Sequence, residues 1–253
     1  MTPVSAESWR PARAHDPPPL AAEAVHVWRV PLERPGPLED AWAVLSEEEQ
    51  GRARRLVQEH HRRRFVAAHA ALRRILAGYT ALAPGQLRIA TGPHGKPTLA
   101  GPAADARPRF EFNLSHSADL ALVAVARERP VGVDLERWKR DMNHLELAER
   151  FFSPIERASL RALAERHDDL VCGFFAAWSR KEAYLKALGT GVTRGLHHFD
   201  VTLAPSEPAQ LLADRLDGAI DRWRMLSFVP ATGFSAALVV ADPLGEVLLL
   251  DER

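Results

Sequence analysis

Three carboxylates and one lysine are the residues of this chain whose types and spacing best suit chemistry. Asp134 and Glu136 lie two apart in Val131-Gly-Val-Asp-Leu-Glu136, which reads as a strand. Residues two apart share a strand face, so both carboxylates point one way while Val131, Val133 and Leu135 take the opposite, packed face. Glu182 lies in Trp178-Ser-Arg-Lys-Glu-Ala-Tyr-Leu-Lys186, inside a helix predicted from about Asp168 to Leu188. Phe174, Trp178, Leu185 and Leu188 recur there at helical spacing and mark one buried stripe, out of which Glu182 points. An ionised carboxylate on an apolar face is costly without a cation or hydrogen bonds. Lys186, one turn on, offers an ordinary i,i+4 partner. Three converging carboxylates need more, because without a cation they repel and raise one another's pKa. The economical partner is a hard divalent cation, Mg²⁺ or Mn²⁺, that keeps waters and holds a substrate phosphate. The alternative is that Asp134 and Glu136 simply end a strand in solvent.

Two more positions invite a phosphate. Lys96 sits in Gly92-Pro-His-Gly-Lys-Pro97, where Gly95 and the Pro97 ring would present it from a stiff turn. An ordinary exposed loop lysine is the plainer reading. His116 stands between two hydroxyls in Ser115-His-Ser117, at the expected end of a strand over Phe110–Leu114. A lone histidine there is more often hydrogen-bonded structure than a ligand. The chain carries no Gly-x-Ser-x-Gly elbow, no His-Glu-x-x-His and no dinucleotide-binding glycine fingerprint.

The elements that must position these residues follow from periodicity and punctuation. Residues 1 to about 22, ending in Pro17-Pro18-Pro19, read as a loose tail. Ala24–Leu32 alternates as a strand, and Ser46-Glu-Glu-Glu49 is a capping box that starts a helix. A second helix, from about Arg62 to Tyr79, sets Phe65, Ala68, Leu72 and Leu76 on one face and arginines on the other. Leu120–Ala126 reads as a buried strand, Pro130 breaks the run, and Arg127–Pro130 is the candidate boundary between two halves. Helices near Leu145–Phe152 and after Ser153-Pro154 precede the Glu182 helix. Strands at Phe199–Leu203, Trp223–Phe228 and Phe234–Val240 should complete a second sheet. The fold class is α+β, helices packed on sheets in each half.

Composition narrows the function. The 253 residues hold 33 basic and 33 acidic side chains, so no global field draws the chain to nucleic acid or anionic membrane. A single cysteine, Cys172, rules out an internal disulfide and fits a small buried hydrophobe better than a nucleophile. With no signal-like or membrane-spanning run, a cytoplasmic protein is expected.

Five motifs taken together carry a resemblance. Gly95-Lys-Pro97, Phe112-Asn-Leu-Ser-His-Ser117, Val131-Gly-Val-Asp-Leu-Glu136, Phe151-Phe-Ser-Pro-Ile-Glu156 and Trp178–Lys186 are similar, in order and spacing, to those of the 4′-phosphopantetheinyl transferases, most of all the long, Sfp type. The resemblance implies a monomer of two similar halves related by a pseudo-twofold axis, 24–128 and 129–253 after the tail 1–23, with coenzyme A in the cleft between them. It implies Mg²⁺ (or Mn²⁺) on Asp134, Glu136 and Glu182, and Lys96 and His116 at the nucleotide end, including its 3′-phosphate. Lys186 and Lys181 match lysines beside the pyrophosphate, and Arg63 is the best single choice for a further phosphate contact from Arg52–Arg64. The activity implied is transfer of phosphopantetheine to a serine of an apo acyl- or peptidyl-carrier protein, with Glu182 favoured as base and Lys186 as the second cation. Two rivals stay open: a non-catalytic coenzyme A or carrier-binding protein, and a metal-dependent phosphohydrolase.

Overall fold

Two long helices each cover the outer face of a sheet, and the two sheets face one another across a shared apolar layer. The computed structural model describes residues 9–33, 38–92, 94–205 and 207–252, apart from the side chains at 192 and 193. In chain order the strands are β1 (Arg10–Ala12), β2 (Val25–Pro31), β3 (Arg88–Thr91), β4 (Pro97–Ala100), β5 (Phe110–Ser117), β6 (Leu120–Arg127), β7 (Val131–Arg137), β8 (Phe199–Val201), β9 (Leu211–Asp214), β10 (Trp223–Phe228), β11 (Phe234–Ala241) and β12 (Val247–Glu252). The helices are α1 (Leu38–Ala43), α2 (Glu47–Arg55), α3 (Glu59–Thr80), α4 (Pro102–Asp105), α5 (His144–Phe151), α6 (Pro154–Leu163) and α7 (His167–Leu188). This is the expected α+β class.

One sheet has the order β1-β12-β2-β6-β5 and the other β10-β11-β7, while β3–β4 and β8–β9 form separate ribbons. Along α3, Ala68, Leu72, Ile75 and Leu76 pack on Trp28, Val30 and Val123 of the first sheet. Alternate residues of the same strands, Val25, Val27, Leu122 and Ala124, meet Val131, Val133, Leu135 and Leu238 of the second sheet. The far face of that sheet receives α7. Strand β6 is therefore covered on both sides, which is why Leu120–Ala126 is an unbroken apolar run.

Several expectations are corrected. Strand β5 continues through Ser115-His-Ser117 instead of stopping at Leu114. Its alternate side chains Asn113, Ser115 and Ser117 accept hydrogen bonds from the backbone N–H groups of Val133, Leu135 and Arg137, at 2.9, 3.3 and 3.0 Å. The polar residues are thus a seam binding the edge of one sheet to the other. Helix α7 is buried on several sides, not along one stripe, because β7, β11, α5 and α6 all pack on it. Strand β8 pairs with β9 and stays out of the second sheet. The segment read as a loose tail is docked from Trp9 onward: β1 runs parallel to β12, and Trp9 meets Phe228 at 6.0 Å in the layer between the sheets. Residues 1–8 of that tail lie outside the described residues. Strand β12 crosses the boundary expected at Arg127–Pro130, since it inserts between β1 and β2 of the first sheet. Among the described residues, no helix is long and apolar enough to cross a membrane.

Candidate active site

Gly132 brings the site together. A Cβ at that position would lie 2.2 Å from the Ala183 carbonyl and 2.4 Å from the Ala187 nitrogen, so only glycine lets α7 settle directly on β7. Asp134 and Glu136 follow on the same face of the strand, while Val131, Val133 and Leu135 enter the inter-sheet core as expected. On the helix side, Lys186 follows Glu182 by one turn.

Asp134 is the most tightly held member. Its Oδ1 accepts from Lys186 Nζ at 2.6 Å and from Ser115 Oγ at 3.0 Å. Ser115 is saturated, since its oxygen also accepts from Lys186 at 2.9 Å and from the Leu135 N–H. Lys186 completes its set on the Val133 carbonyl at 3.3 Å. Its ion pair is therefore with Asp134 and not the i,i+4 pair with Glu182. The second oxygen of Asp134, Oδ2, is buried and has no hydrogen-bond partner. Glu136 is half-buried, and burial, then the charge of Asp134, push its pKa up to about 7, against the pull of Lys186. Burial and Asp134 also raise Glu182. Among the described residues, no three His, Cys, Asp or Glu side chains are drawn to a common point that would hold an ion as placed. The donor set nevertheless suits a hard cation: three carboxylates on rigid elements, one buried oxygen unsatisfied, and Glu136 still raised despite the pull of Lys186 and Lys139.

A second centre is cationic. His116 opens to solvent, yet its surroundings disfavour its charge: its pKa is lowered first by burial, then by His69, Lys186, Arg64 and His61. Basic side chains from α3, His61, Arg64 and His69, thus lie near enough to the end of β5 to disfavour a charge on His116, a grouping that would suit an anionic ligand. Arg64 is the arginine brought there. Arg63, the sequence-based choice, is turned to Glu59 on its own helix at 3.4 Å and is exposed. The signal for the better register was present: His61 and Arg64 are three apart, and His69 lies two turns beyond His61. His69 is anchored in turn by Glu49, whose capping box with Ser46 forms as expected.

Two lysines are placed differently from expectation. Lys181 is not available to a ligand. It is fully buried on another side of α7, paired with Glu156 at 2.7 Å and donating to the Leu196 and Phe199 carbonyls. Glu156 also accepts from the Val201 and Ser153 N–H groups, so the Phe151–Glu156 motif is a capping box joined to a buried ion pair. Lys96 is half-buried, and its Nζ donates to the Val131 and Ala187 carbonyls at 3.2 and 3.1 Å instead of standing free. The thiol of Cys172 is half-buried and pushed up by burial, as suits a packing role.

The paired-sheet α+β fold thus sets Asp134, Glu136, Glu182 and Lys186 where β7 meets α7, with basic side chains of α3 beside the end of β5. Comparison with known proteins supplies the family. The family described as 4′-phosphopantetheinyl transferase superfamily matches residues 130–239, and its partner, 4′-phosphopantetheinyl transferase, N-terminal, matches residues 33–128. The chain is 40% identical to 4′-phosphopantetheinyl transferase HetI of Nostoc sp. over 88% of this chain and 90% of that protein. It is 32% identical to a phosphopantetheinyl transferase of Thraustochytrium sp. (71% of this chain, 64% of that protein) and 30% identical to 4′-phosphopantetheinyl transferase Sfp of Bacillus subtilis (64% and 67%). The chain belongs to the 4′-phosphopantetheinyl transferase superfamily and, within it, to the long, Sfp-like enzymes.

Proposed function

We propose that this chain transfers the 4′-phosphopantetheine group of coenzyme A to a serine of an apo acyl- or peptidyl-carrier protein, with Mg²⁺ at Asp134, Glu136 and Glu182. The observation that supports the metal is the buried, unpartnered Asp134 Oδ2 within a set of carboxylates short of positive charge. When bound, the ion supplies charge neutralisation to the pyrophosphate oxygens. The residues of the chain do the rest. His116 and Arg64 receive the nucleotide end, and Lys186, oriented by Asp134 and Ser115, presents a fixed positive group to the pyrophosphate. The carrier serine oxygen bonds to the β-phosphorus, and the bond to the bridging oxygen breaks. Adenosine 3′,5′-bisphosphate leaves. Glu182 takes the serine proton; burial makes it a better base than a free carboxylate.

Manganese titration followed by electron paramagnetic resonance, with coenzyme A present, tests the ligand set. Wild type should bind the ion, and Asp134→Ala and Glu182→Ala should lose it together with transfer. Manganese bound undiminished by both variants would refute the assignment. Coenzyme A breakdown without a modified carrier would favour the phosphohydrolase reading.

A further inference from the structure

We propose that Lys96 is a positioning residue: its ammonium staples the start of β7 to the last turn of α7, and so aligns the two elements that carry the active-site side chains. Three observations support this. The Nζ hydrogen bonds go to Val131, the first residue of β7, and to Ala187, next to last in α7. Asp134 and Glu136 lie just beyond the first anchor, and Glu182 and Lys186 just before the second. The Ala187 carbonyl belongs to the helix end that has no intrahelical donor and carries the negative end of the helix dipole, where a cation is stabilising.

The backbone around Lys96 is fixed for this reach. The Gly92 N–H donates to the Lys96 carbonyl at 2.9 Å, the Gly95 N–H donates to the Gly92 carbonyl at 2.9 Å, and Gly95 takes φ +87°. At the far end Gly189 closes α7 with φ +71°, and a Cβ there would stand 3.2 Å from Lys96 Cδ. The stem of Lys96 therefore lies across the helix cap. The turn at the expected nucleotide end and the carboxylates at the metal end are tied through one side chain.

Residue choice agrees with this role. The chain has four lysines against 29 arginines. Three of the four, Lys96, Lys181 and Lys186, have Nζ held by backbone carbonyls, alone or with side-chain oxygens. A compact ammonium with three rotatable donors fits such a cage, and a flat guanidinium fork does not. Where a phosphate is the partner, arginine serves at least as well as lysine.

That difference gives the test, which for its kinetic part rests on the proposed function. Lys96→Arg and Lys96→Met are compared with His116→Ala, using coenzyme A, dephospho-coenzyme A and amide hydrogen exchange. A staple predicts that both Lys96 variants speed exchange in the last turn of α7 by about ten-fold or more. It also predicts that both lower kcat by about ten-fold or more, since small misplacements of catalytic groups are costly. Their preference for coenzyme A over dephospho-coenzyme A should remain that of wild type, while His116→Ala loses it. Wild-type exchange and kcat in Lys96→Arg, with preference lost in Lys96→Met, would overturn the proposal and make Lys96 a phosphate reader. If neither variant folds, the wild-type protein labelled with ¹⁵N-lysine answers instead. The Lys96 ammonium signal should stay in place when adenosine 3′,5′-bisphosphate is added, and a large shift would overturn the proposal. The exchange and labelling arms need no carrier protein, so failure of the staple and failure of the transferase reading are read separately.

Discussion

Asp134 spends one carboxylate oxygen on Lys186 and Ser115 and leaves the other buried without a partner. Asparagine at that position keeps an acceptor for Lys186 and Ser115 but loses the charge. Asp134→Asn should therefore melt close to wild type and yet transfer at least about 100-fold more slowly at saturating Mg²⁺. A thermal melt and steady-state rates decide it: a rate within ten-fold of wild type would remove Asp134 from the reacting centre. Strand period put Asp134 and Glu136 on one face and helix period put Lys186 one turn past Glu182, but only the family resemblance joined the two pairs. Lys181 misled because motif matching ignores the helical wheel. Five residues set it about 140° around the helix from Lys186, and that side is core. Arg63 misled for a similar reason, one position out of register on α3.

Gly132 shows what an element needs in order to deliver a side chain. Gly132→Ala forces a Cβ into the backbone of α7, which must lift from β7. The expected cost is about 1–3 kcal/mol or more, as for other overpacked contacts, with transfer falling further than stability. Denaturant unfolding and the transfer rate check the pair, and an unchanged midpoint would contradict the close contact. Asn113→Ala tests the seam, since it leaves the buried Val133 N–H without its acceptor and should cost about 1–3 kcal/mol. The seam was hard to recognise beforehand, because Ser-His-Ser after an apolar strand has the composition of a strand end. Only the partner strand gives those alternate hydroxyls something to accept. Strand β12 was missed for a related reason: its partner β2 lies at the other end of the chain, and local pattern does not report distant pairing.

At the scale of the whole molecule, acid should loosen the packing of α3 on the first sheet. His26 of β2 is 1% exposed, beside Tyr79 of α3 at 2.7 Å, and burial lowers its pKa to about 4. The unfolded chain takes up that proton near pH 6.5, before the folded one does, so the associated stability is complete above pH 6.5 and lost as pH falls through about 4. The loss amounts to about 3 kcal/mol. His26→Gln should flatten stability between those pH values, and an unchanged slope in urea titrations would contradict the assignment. The outer surface also bears on the carrier protein. Phe152 is core, but Phe151 and Ile155 are 36% and 60% exposed, with Arg150 over the Phe151 ring at 5.8 Å, while Arg157 is committed to Glu149. If this patch receives an acidic carrier, as the family resemblance implies, Arg150→Glu should raise KM for the carrier at low salt and leave KM for coenzyme A unchanged. An unaltered carrier KM would place docking elsewhere.

By the proposed function, a phosphopantetheine arm passes from coenzyme A to a carrier serine beside the carboxylates of β7 and α7. Intact-protein mass spectrometry measures this directly, with an apo carrier protein, coenzyme A and Mg²⁺, and with a carrier whose acceptor serine is alanine as control. One phosphopantetheine on each carrier chain, none on the alanine control, and an equal amount of adenosine 3′,5′-bisphosphate is the predicted result. An unmodified carrier would contradict it, whether coenzyme A is left intact or broken down.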